Sequence, residues 1–262
     1  MKRVVVKIGG AAVEDASLLA KCAEAAKEMV QAGHQVAVVH GGGAALTRTL
    51  HQLGKVSQFV DGLRVTDAQT RDVALMVLAG SVNKALVAAM TRCGQPAVGI
   101  CGGDGCAFRA RRKNIGGNDV GFVGEIAAVD GRWIESIWQL GAVPVISSIA
   151  LGHDGEYYNI NADEMAAACA SACHANALVF LTDVAGVKGE DGEVIRWLNA
   201  GEITALKERA VVSGGMLPKL AACDYALRHG VGRVRILPAQ SANVLPELYR
   251  SRIQYGTEVV VA

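Results

Sequence analysis

Lys7 stands near the end of an apolar β-branched run, Arg3 to Ile8, with Gly9 and Gly10 directly behind it. An ammonium at the end of a buried strand is costly to desolvate unless an anion or a carboxylate meets it. The two glycines let a ligand approach the main chain at that point. A second run, Val36 to Val39, leads into His40-Gly41-Gly42-Gly43 and then a helical pattern to Leu50. Glycines beside the unpaired N–H groups of a helix start suit a phosphate, a carboxylate, or the charge that develops between them. Downstream, Arg64 offers a planar fork to a carboxylate. Asn159 and Asn161 share one side of a strand that leads to Asp163 and Glu164. Asn161 reads as a helix cap, but Asn159 is an unusual polar choice in a strand unless something binds to it. Pro218 opens a helix that carries Lys219 at its positive end, where a cation makes sense if a phosphate binds.

A glycine turn of this kind fits a dinucleotide site, an esterase oxyanion hole, or a kinase that forms acyl phosphates. The turn is a poor G-x-G-x-x-G match, follows the second strand, and has no acidic residue closing the next strand to hold a ribose. An esterase would also need a G-x-S-x-G elbow, which is absent. The P-loop and protein-kinase patterns are missing as well, so a kinase here is of another kind.

The elements that must position these groups read as alternating strands and helices. Arg3 to Ile8 is a strand, Asp15 to Ala32 a helix stopped by Gly33, and Val36 to Val39 a second buried strand. Two strands joined through a helix imply a parallel sheet, with Lys7-Gly-Gly and the histidine-glycine turn facing each other at one edge. Asp61-Gly62 is a hairpin turn that brings Arg64 over the same edge. Thr66-Asp67 starts a helix that Gly80 ends, and Ser81 to Arg92 is a further one. Gln95 to Cys101 is a strand, and the glycine-rich stretch to Gly131 holds β-hairpins, with Arg109, Arg111, Arg112 and Lys113 as charges along a solvated edge. Then come a helix at Trp133 to Leu140, strands at Ala142 to Ser148 and through Asn159-Ile160, and a strand at Ala177 to Leu181. Helices at Ile203 to Arg209 and Val244 to Arg250 and strands at Arg233 to Leu237 and Glu258 to Val261 complete the chain. The expected class is α/β, an open, mainly parallel sheet sandwiched by helices, with β-hairpins over the substrate site.

A chain of 262 residues can bury one large core or two fused lobes. With 26 Lys+Arg against 25 Asp+Glu, charge provides no attraction to nucleic acid or an anionic membrane, and small-molecule chemistry is the default. No targeting segment precedes the first strand, and the most apolar long window, Met165 to Leu181, divides into a helix end and a strand rather than a span. The 7 cysteines read as buried thiols of a reducing, cytoplasmic compartment. Cys169, Cys173 and His174 lack the further ligands that a metal centre needs, so no residue is assigned to metal.

Motifs in register along nearly the whole chain resemble the amino-acid kinase family: KIGG at Lys7, VHGGG at Val39, DGLRVT at Asp61, VNK at Val82, GFVGEI at Gly121, YNINAD at Tyr158, LTDVAGV at Leu181 and SGGMLPK at Ser213. Within that family the wording is similar to the branch that phosphorylates N-acetylglutamate. The resemblance implies transfer of the γ-phosphoryl of ATP, with Mg²⁺, to the side-chain carboxylate of N-acetyl-L-glutamate in arginine biosynthesis. It implies that Lys7 and Lys219 balance the charge of the transferred phosphoryl, that Asp163 orients both lysines, and that Gly10 and Gly43 donate backbone N–H groups to it. Gly42, Gly43, Arg64, Asn159 and Asn161 would hold the acceptor, Arg64 by its α-carboxylate and Asn159 by its acetylated nitrogen. Asp183, Val184, Ala185, Gly186, Val187, Lys188, Val211, Val212 and Ser213 would line the nucleotide. An acceptor lobe over about residues 1–175 and a nucleotide lobe over about 176–262 follow from the same resemblance. A carboxylate acceptor is ionised already, so no general base is needed and His40 is structural or shapes the turn. Two rival readings are a kinase of carrier-linked aminoadipate or glutamate, and a non-catalytic amino-acid-binding module. Since Lys7 already closes the first strand, no extra leading helix is expected, and with it a homodimer without strong arginine feedback.

Overall fold

Alternating apolar side chains decide the layers. The computed structural model describes residues 1–114, 116, 119–247 and 255–260. Its strands are β1 (Arg3–Ile8), β2 (Gln35–His40), β3 (Phe59–Val60), β4 (Leu63–Arg64), β5 (Ala97–Ile100), β6 (Phe108–Arg112), β7 (Val123–Val129), β8 (Val143–Ser147), β9 (Ile149–Gly152), β10 (Tyr157–Ile160), β11 (Ala177–Thr182), β12 (Trp197–Leu198), β13 (Val234–Pro238) and β14 (Thr257–Val259). Eight of them form one sheet in the order β12-β14-β13-β11-β1-β2-β8-β5, parallel throughout except where β14 meets β13. On β1, β2 and β11, Val4, Val6, Val36, Val38, Val179 and Leu181 pack to one side, and Val5, Ala37, Val39, Leu178 and Phe180 to the other. Both faces are therefore covered, which is why these strands read as continuous apolar runs.

The first face carries α2 (Ala16–Gln31) and α3 (Gly43–Gln52), together with α4 (Ala68–Ala74) and α5 (Asn83–Arg92). The second carries α6 (Arg132–Gln139), α7 (Ala162–Ala172), α8 (Ala200–Glu208) and α9 (Met216–Arg228). A short helix of five residues, Gly10–Glu14, lies between β1 and α2. The result is the three-layer α/β/α class expected from the pattern.

Several boundaries differ from the sequence reading. Gly80 does not end a helix: α4 and α5 run on as one helix through a π-turn, Leu75–Val82. An interior glycine costs only about 1 kcal/mol, and the buried Val77, Leu78 and Val82 around it hold the helix to the core. That uninterrupted helix, Ala68–Arg92, is long and apolar enough by length and composition to cross a membrane, and half of its most apolar window is buried inside the fold. Helix α8 starts at Ala200 rather than Ile203, because Asn199 and Glu202 form a reciprocal capping box. The segment read as a helix from Val244 is 3₁₀ structure over Ala239–Glu247. Its expected end at Arg250, the strand end at Val261, and Ile115, Gly117 and Asn118 of the glycine-rich stretch lie outside the described residues.

The glycine-rich stretch yields the antiparallel pair β6–β7 and more. With β9 and β10 these strands close into a four-stranded barrel, β10 lying parallel to β7 and β6 parallel to β9. The chain passes from the main sheet into the barrel at Ser148, between β8 and β9, and leaves β10 directly into α7. Barrel and sheet thus meet where Asn159 and Asp163 sit.

His40, at the end of β2, is fully buried against α5: its Nδ1 lies 2.8 Å from the Gly41 carbonyl and its Nε2 3.0 Å from Asn83 Nδ2. Burial lowers its pKa from 6.5 to about 4, outweighing the Gly41 carbonyl, and Lys84 and Lys7 lower it further. The folded protein holds this ring neutral while the unfolded chain takes up a proton below its ordinary value. Stability should therefore fall as pH drops from 6.5 through 4, by up to ~3 kcal/mol from this group. Urea unfolding across that range checks this: the His40→Asn variant should show a shallower pH slope, and an equal slope would clear His40 of the effect.

Candidate active site

Strand alternation puts Val5 and Lys7 on the face covered by α7 and α9, with Lys7 in register between Val39 and Phe180. Helix α7 begins at Asn161, whose Oδ1 accepts the N–H groups of Asp163 at 2.9 Å and Glu164 at 3.3 Å. Its ADEMAAACASA sequence is mostly small, which lets it lie close to the sheet and carry Asp163 down to Lys7. Asp163 Oδ1 is 2.8 Å from Lys7 Nζ, and Asp163 Oδ2 is 3.0 Å from Lys219 Nζ. Lys219 reaches the same carboxylate from the first turn of α9 and lies 5.2 Å over the Phe180 ring. All three groups are buried.

This triad carries one surplus positive charge out of water. Burial pulls the Lys7 pKa below 10.5, Asp163 opposes that, and Lys219 adds to the lowering. Burial would raise the Asp163 carboxyl, but Lys7 and Lys219 together hold it below the ordinary carboxylate range. Asp183, across the neighbouring cavity, adds a weaker favourable charge to Lys7, but within the triad two ammonium groups share one carboxylate, and an arriving phosphoryl group would supply further negative charge.

The glycine turns meet at the sheet edge as expected. A Cβ on Gly10 would lie 3.5 Å from Gly43 N and 3.8 Å from Gly42 N, in van der Waals contact, so the two backbones lie side by side. A Cβ on Gly42 would fall 2.7 Å from Leu78 Cδ2. Beside them is a cavity of about 160 Å³, lined by Gly41, Gly42, Gly43, Arg64, Ser148, Asn159 and Asn161 among others. Arg64 is held in its wall: it donates to Gly43 O at 3.0 Å, to Thr47 Oγ1 at 2.7 Å and to Ser57 Oγ, and lies 4.8 Å over the Phe59 ring. It is only 8 % exposed, and no carboxylate among the described residues pairs with it. The Asp61-Gly62 turn, with both residues at positive φ, makes the hairpin β3–β4 that carries it.

A second cavity of about 460 Å³ is lined by Lys7, Gly9, Gly10, Ala12, Thr182, Asp183, Val184, Ser213, Gly215, Met216 and Lys219. Lys7, Gly10, Asp183, Val184, Ser213 and Lys219 thus come together. Ala185 and Lys188 are exposed and, like the buried Gly186 and Val187, do not line this cavity. Val212 is core and Val211 packs against it, so these two support the wall from behind. Three of the four basic residues are in ion pairs, Arg111 with Glu125, Arg112 with Asp119 and Lys113 with Glu164, while Arg109 donates to the Gly152 carbonyl at 3.4 Å. Cys169 and Cys173 are buried free thiols.

The model of the amino acid kinase family matches residues 2–238. The chain belongs to the amino acid kinase family. An acetylglutamate kinase of Acidobacterium capsulatum is 63% identical over 260 residues, covering 99% of this chain and 100% of that protein. One from Koribacter versatilis is 55% identical, covering 98% of each. The N-acetylglutamate synthase of Neisseria gonorrhoeae, solved with coenzyme A and N-acetyl-glutamate, superposes with a TM-score of 0.87 at 26% identity, over 99% of this chain and 59% of that one. The carbamate kinase of Giardia lamblia, at 15% identity and a TM-score of 0.71, shares the fold over 100% of this chain and 99% of its own. The family makes the chain a phosphotransferase that uses a nucleotide and a divalent metal.

Sequence reasoning missed the groups that hold this kinase site in place. Ser57, Thr47 and Phe59 carried no signal of their contact with Arg64. Asn83, a polar residue inside an apolar helical run, was the visible sign of a buried network behind the glycine turn. Arg64→Lys keeps the charge but loses the planar fork. The KM for the phosphoryl acceptor should rise about 10–100-fold with a smaller change in kcat, and steady-state kinetics with an unaltered acceptor KM would remove Arg64 from binding.

Proposed function

We propose that this kinase transfers the γ-phosphoryl of ATP to the side-chain carboxylate of N-acetyl-L-glutamate, the step that commits acetylated glutamate to arginine biosynthesis. The observation that carries the reading is the Lys7–Asp163–Lys219 triad lying between two cavities, one with an uncompensated arginine and one with the nucleotide-side glycines. The names of the two acetylglutamate kinases that the chain is similar to point to the same acceptor.

In this reading the acceptor sits in the smaller cavity, its α-carboxylate on the Arg64 fork and its acetylated nitrogen at Asn159, with Asn161 alongside. The nucleotide takes the larger one, with its phosphates toward Lys7, Gly10 and Lys219 and its remainder along Asp183, Val184 and Ser213. A side-chain carboxylate oxygen attacks the γ-phosphorus while the bond to the β–γ bridging oxygen breaks, and the electron pair leaves with ADP. Little covalent help is required, because in-line positioning and charge compensation on the equatorial oxygens carry most of the barrier reduction. Lys7 compensates from the acceptor side and Lys219 from the nucleotide side, while Asp163 keeps both ammonium groups aimed. The Gly10, Gly42 and Gly43 N–H groups face the oxygens in transit. Mg²⁺ held on the nucleotide phosphates would add charge neutralisation there, and the two lysines and Gly10 are the residues that would face the same oxygens.

We place the acceptor lobe in about residues 1–175 and the nucleotide lobe in about 176–262. Free thiols at all seven cysteines are compatible with a reducing, cytoplasmic compartment. Homodimeric assembly belongs to the same reading, and light scattering at the mass of a monomer would contradict it. The direct test is an ATP-dependent assay with hydroxylamine trapping of the acyl phosphate. N-acetyl-L-glutamate should yield hydroxamate, and a carrier-linked acceptor used in its place would displace the assignment. Lys219→Ala should lower kcat by ~10²–10³ with little change in acceptor KM. Unchanged kcat would take Lys219 out of the reaction.

A further inference from the structure

The turn that presents Gly42 is held from behind by a buried chain of polar contacts. Asn83 Nδ2 lies 2.9 Å from the Val145 carbonyl and 3.0 Å from His40 Nε2, while Asn83 Oδ1 accepts from Lys84 Nζ at 3.1 Å. A carbonyl at one end of this amide and an ammonium at the other leave it a single orientation, NH₂ toward Val145 and His40. His40 Nε2 must then accept, so the ring proton sits on Nδ1 and is donated to the Gly41 carbonyl 2.8 Å away.

That hydrogen bond fixes a peptide plane. In a trans peptide the C=O and the next N–H point in opposite directions. With Gly41 O held toward His40 and the core, the Gly42 N–H is turned outward, to the side where Gly10 comes up against the turn. Neither the Gly42 nor the Gly43 N–H has a protein partner among the described residues. Because Gly41 and Gly42 have no side chains to resist rotation, nothing in the turn itself prevents this peptide from flipping. A flip would place a carbonyl oxygen where phosphoryl oxygens have to sit.

The π-turn is what brings Asn83 into the relay. A turn closed by i→i+5 bonds rotates the helix beyond it relative to an α-helical continuation. Asn83 is the first residue past it and is wholly buried, while Leu78 and Val82 of the turn fill the space that a side chain at Gly42 would need.

We propose that His40 is a positioning residue: locked by Asn83 as the Nδ1–H tautomer, it sets the Gly41–Gly42 peptide so that the Gly42 N–H donates to the charge developing during phosphoryl transfer. The role rests on reading the site as an acyl-phosphate-forming kinase. It makes a distinction that simple core packing does not. An asparagine at position 40 carries its amide nitrogen where Nδ1 was, whereas a glutamine carries it nearer to Nε2.

Kinetics of His40→Asn and His40→Gln, with a thermal melt of each, test this. The Gln variant should lose about 10² in kcat, with KM for N-acetyl-L-glutamate within roughly threefold of the parent. The Asn variant should be at least about tenfold faster than the Gln variant. Equal kcat in the two variants would overturn the proposal. Should either variant fail to fold, two-dimensional ¹⁵N–¹H NMR of histidine-labelled wild-type protein decides: a proton on Nδ1 of His40 supports the relay and one on Nε2 overturns it. A wild-type protein that traps no hydroxamate would instead defeat the kinase reading, and the tautomer result stands apart from that outcome.

Discussion

Two buried ammonium groups sharing one carboxylate is the constraint around which the molecule is arranged. Lys7, Asp163 and Lys219 come from β1, α7 and α9, so the contact exists only when the sheet and two helices are docked. Desolvation alone would neutralise Lys7 or protonate Asp163. Mutual pairing keeps the carboxylate ionised, as its lowered pKa records. The helix dipoles help unequally: Asp163 in the first turn of α7 is favoured, whereas Lys219 in the first turn of α9 is opposed and depends on its partner. One net positive charge remains in the buried triad, and it faces the cavity where phosphate is expected.

The rest of the fold serves to bring backbone to that charge. Close approach of Gly10 to Gly42 and Gly43 requires β1 and β2 to be adjacent and parallel, with their turns at one edge. The alanine-rich α7 packs on a sheet face that is apolar around Lys7, supplied by Val5, Val39, Leu178 and Phe180. The barrel of β6, β7, β9 and β10 contributes a polar residue to the site, Asn159 of β10. It holds Asn159 at the smaller cavity and hands the chain directly to the Asn161 cap, so Asn159 and Asp163 are set by one short run of chain.

The parts legible in the sequence were those with a local cause. Strand positions followed from apolar runs, the Asp61-Gly62 hairpin from its turn residues, the start of α7 from Asn161, and the meeting of the two glycine turns at one sheet edge from the parallel strands that precede them. What escaped depended on distant partners. Gly80 looked like a helix stop because propensity is local, while the packing of Val77, Leu78 and Val82 that overrides it is tertiary. Barrel closure by β9 and β10 follows from non-local pairing that no short pattern announces. Ala185 to Lys188 and Val211 to Val212 are motif neighbours of residues that line the larger cavity, and what separates them from the lining is tertiary: Val187 and Val212 are buried in the core, and Ala185 and Lys188 are exposed away from the cavity.

If Asp163 acts by aiming the two lysines rather than by touching the reactants, its effect on the reaction must run through them. A double-mutant cycle on kcat with Asp163→Asn, Lys219→Ala and the combined variant, each verified by circular dichroism, measures this directly. The shared-carboxylate account predicts strong non-additivity, with the double variant about as slow as the slower single one. Independent, multiplicative losses would contradict it and would separate Asp163 from the lysine it is paired with.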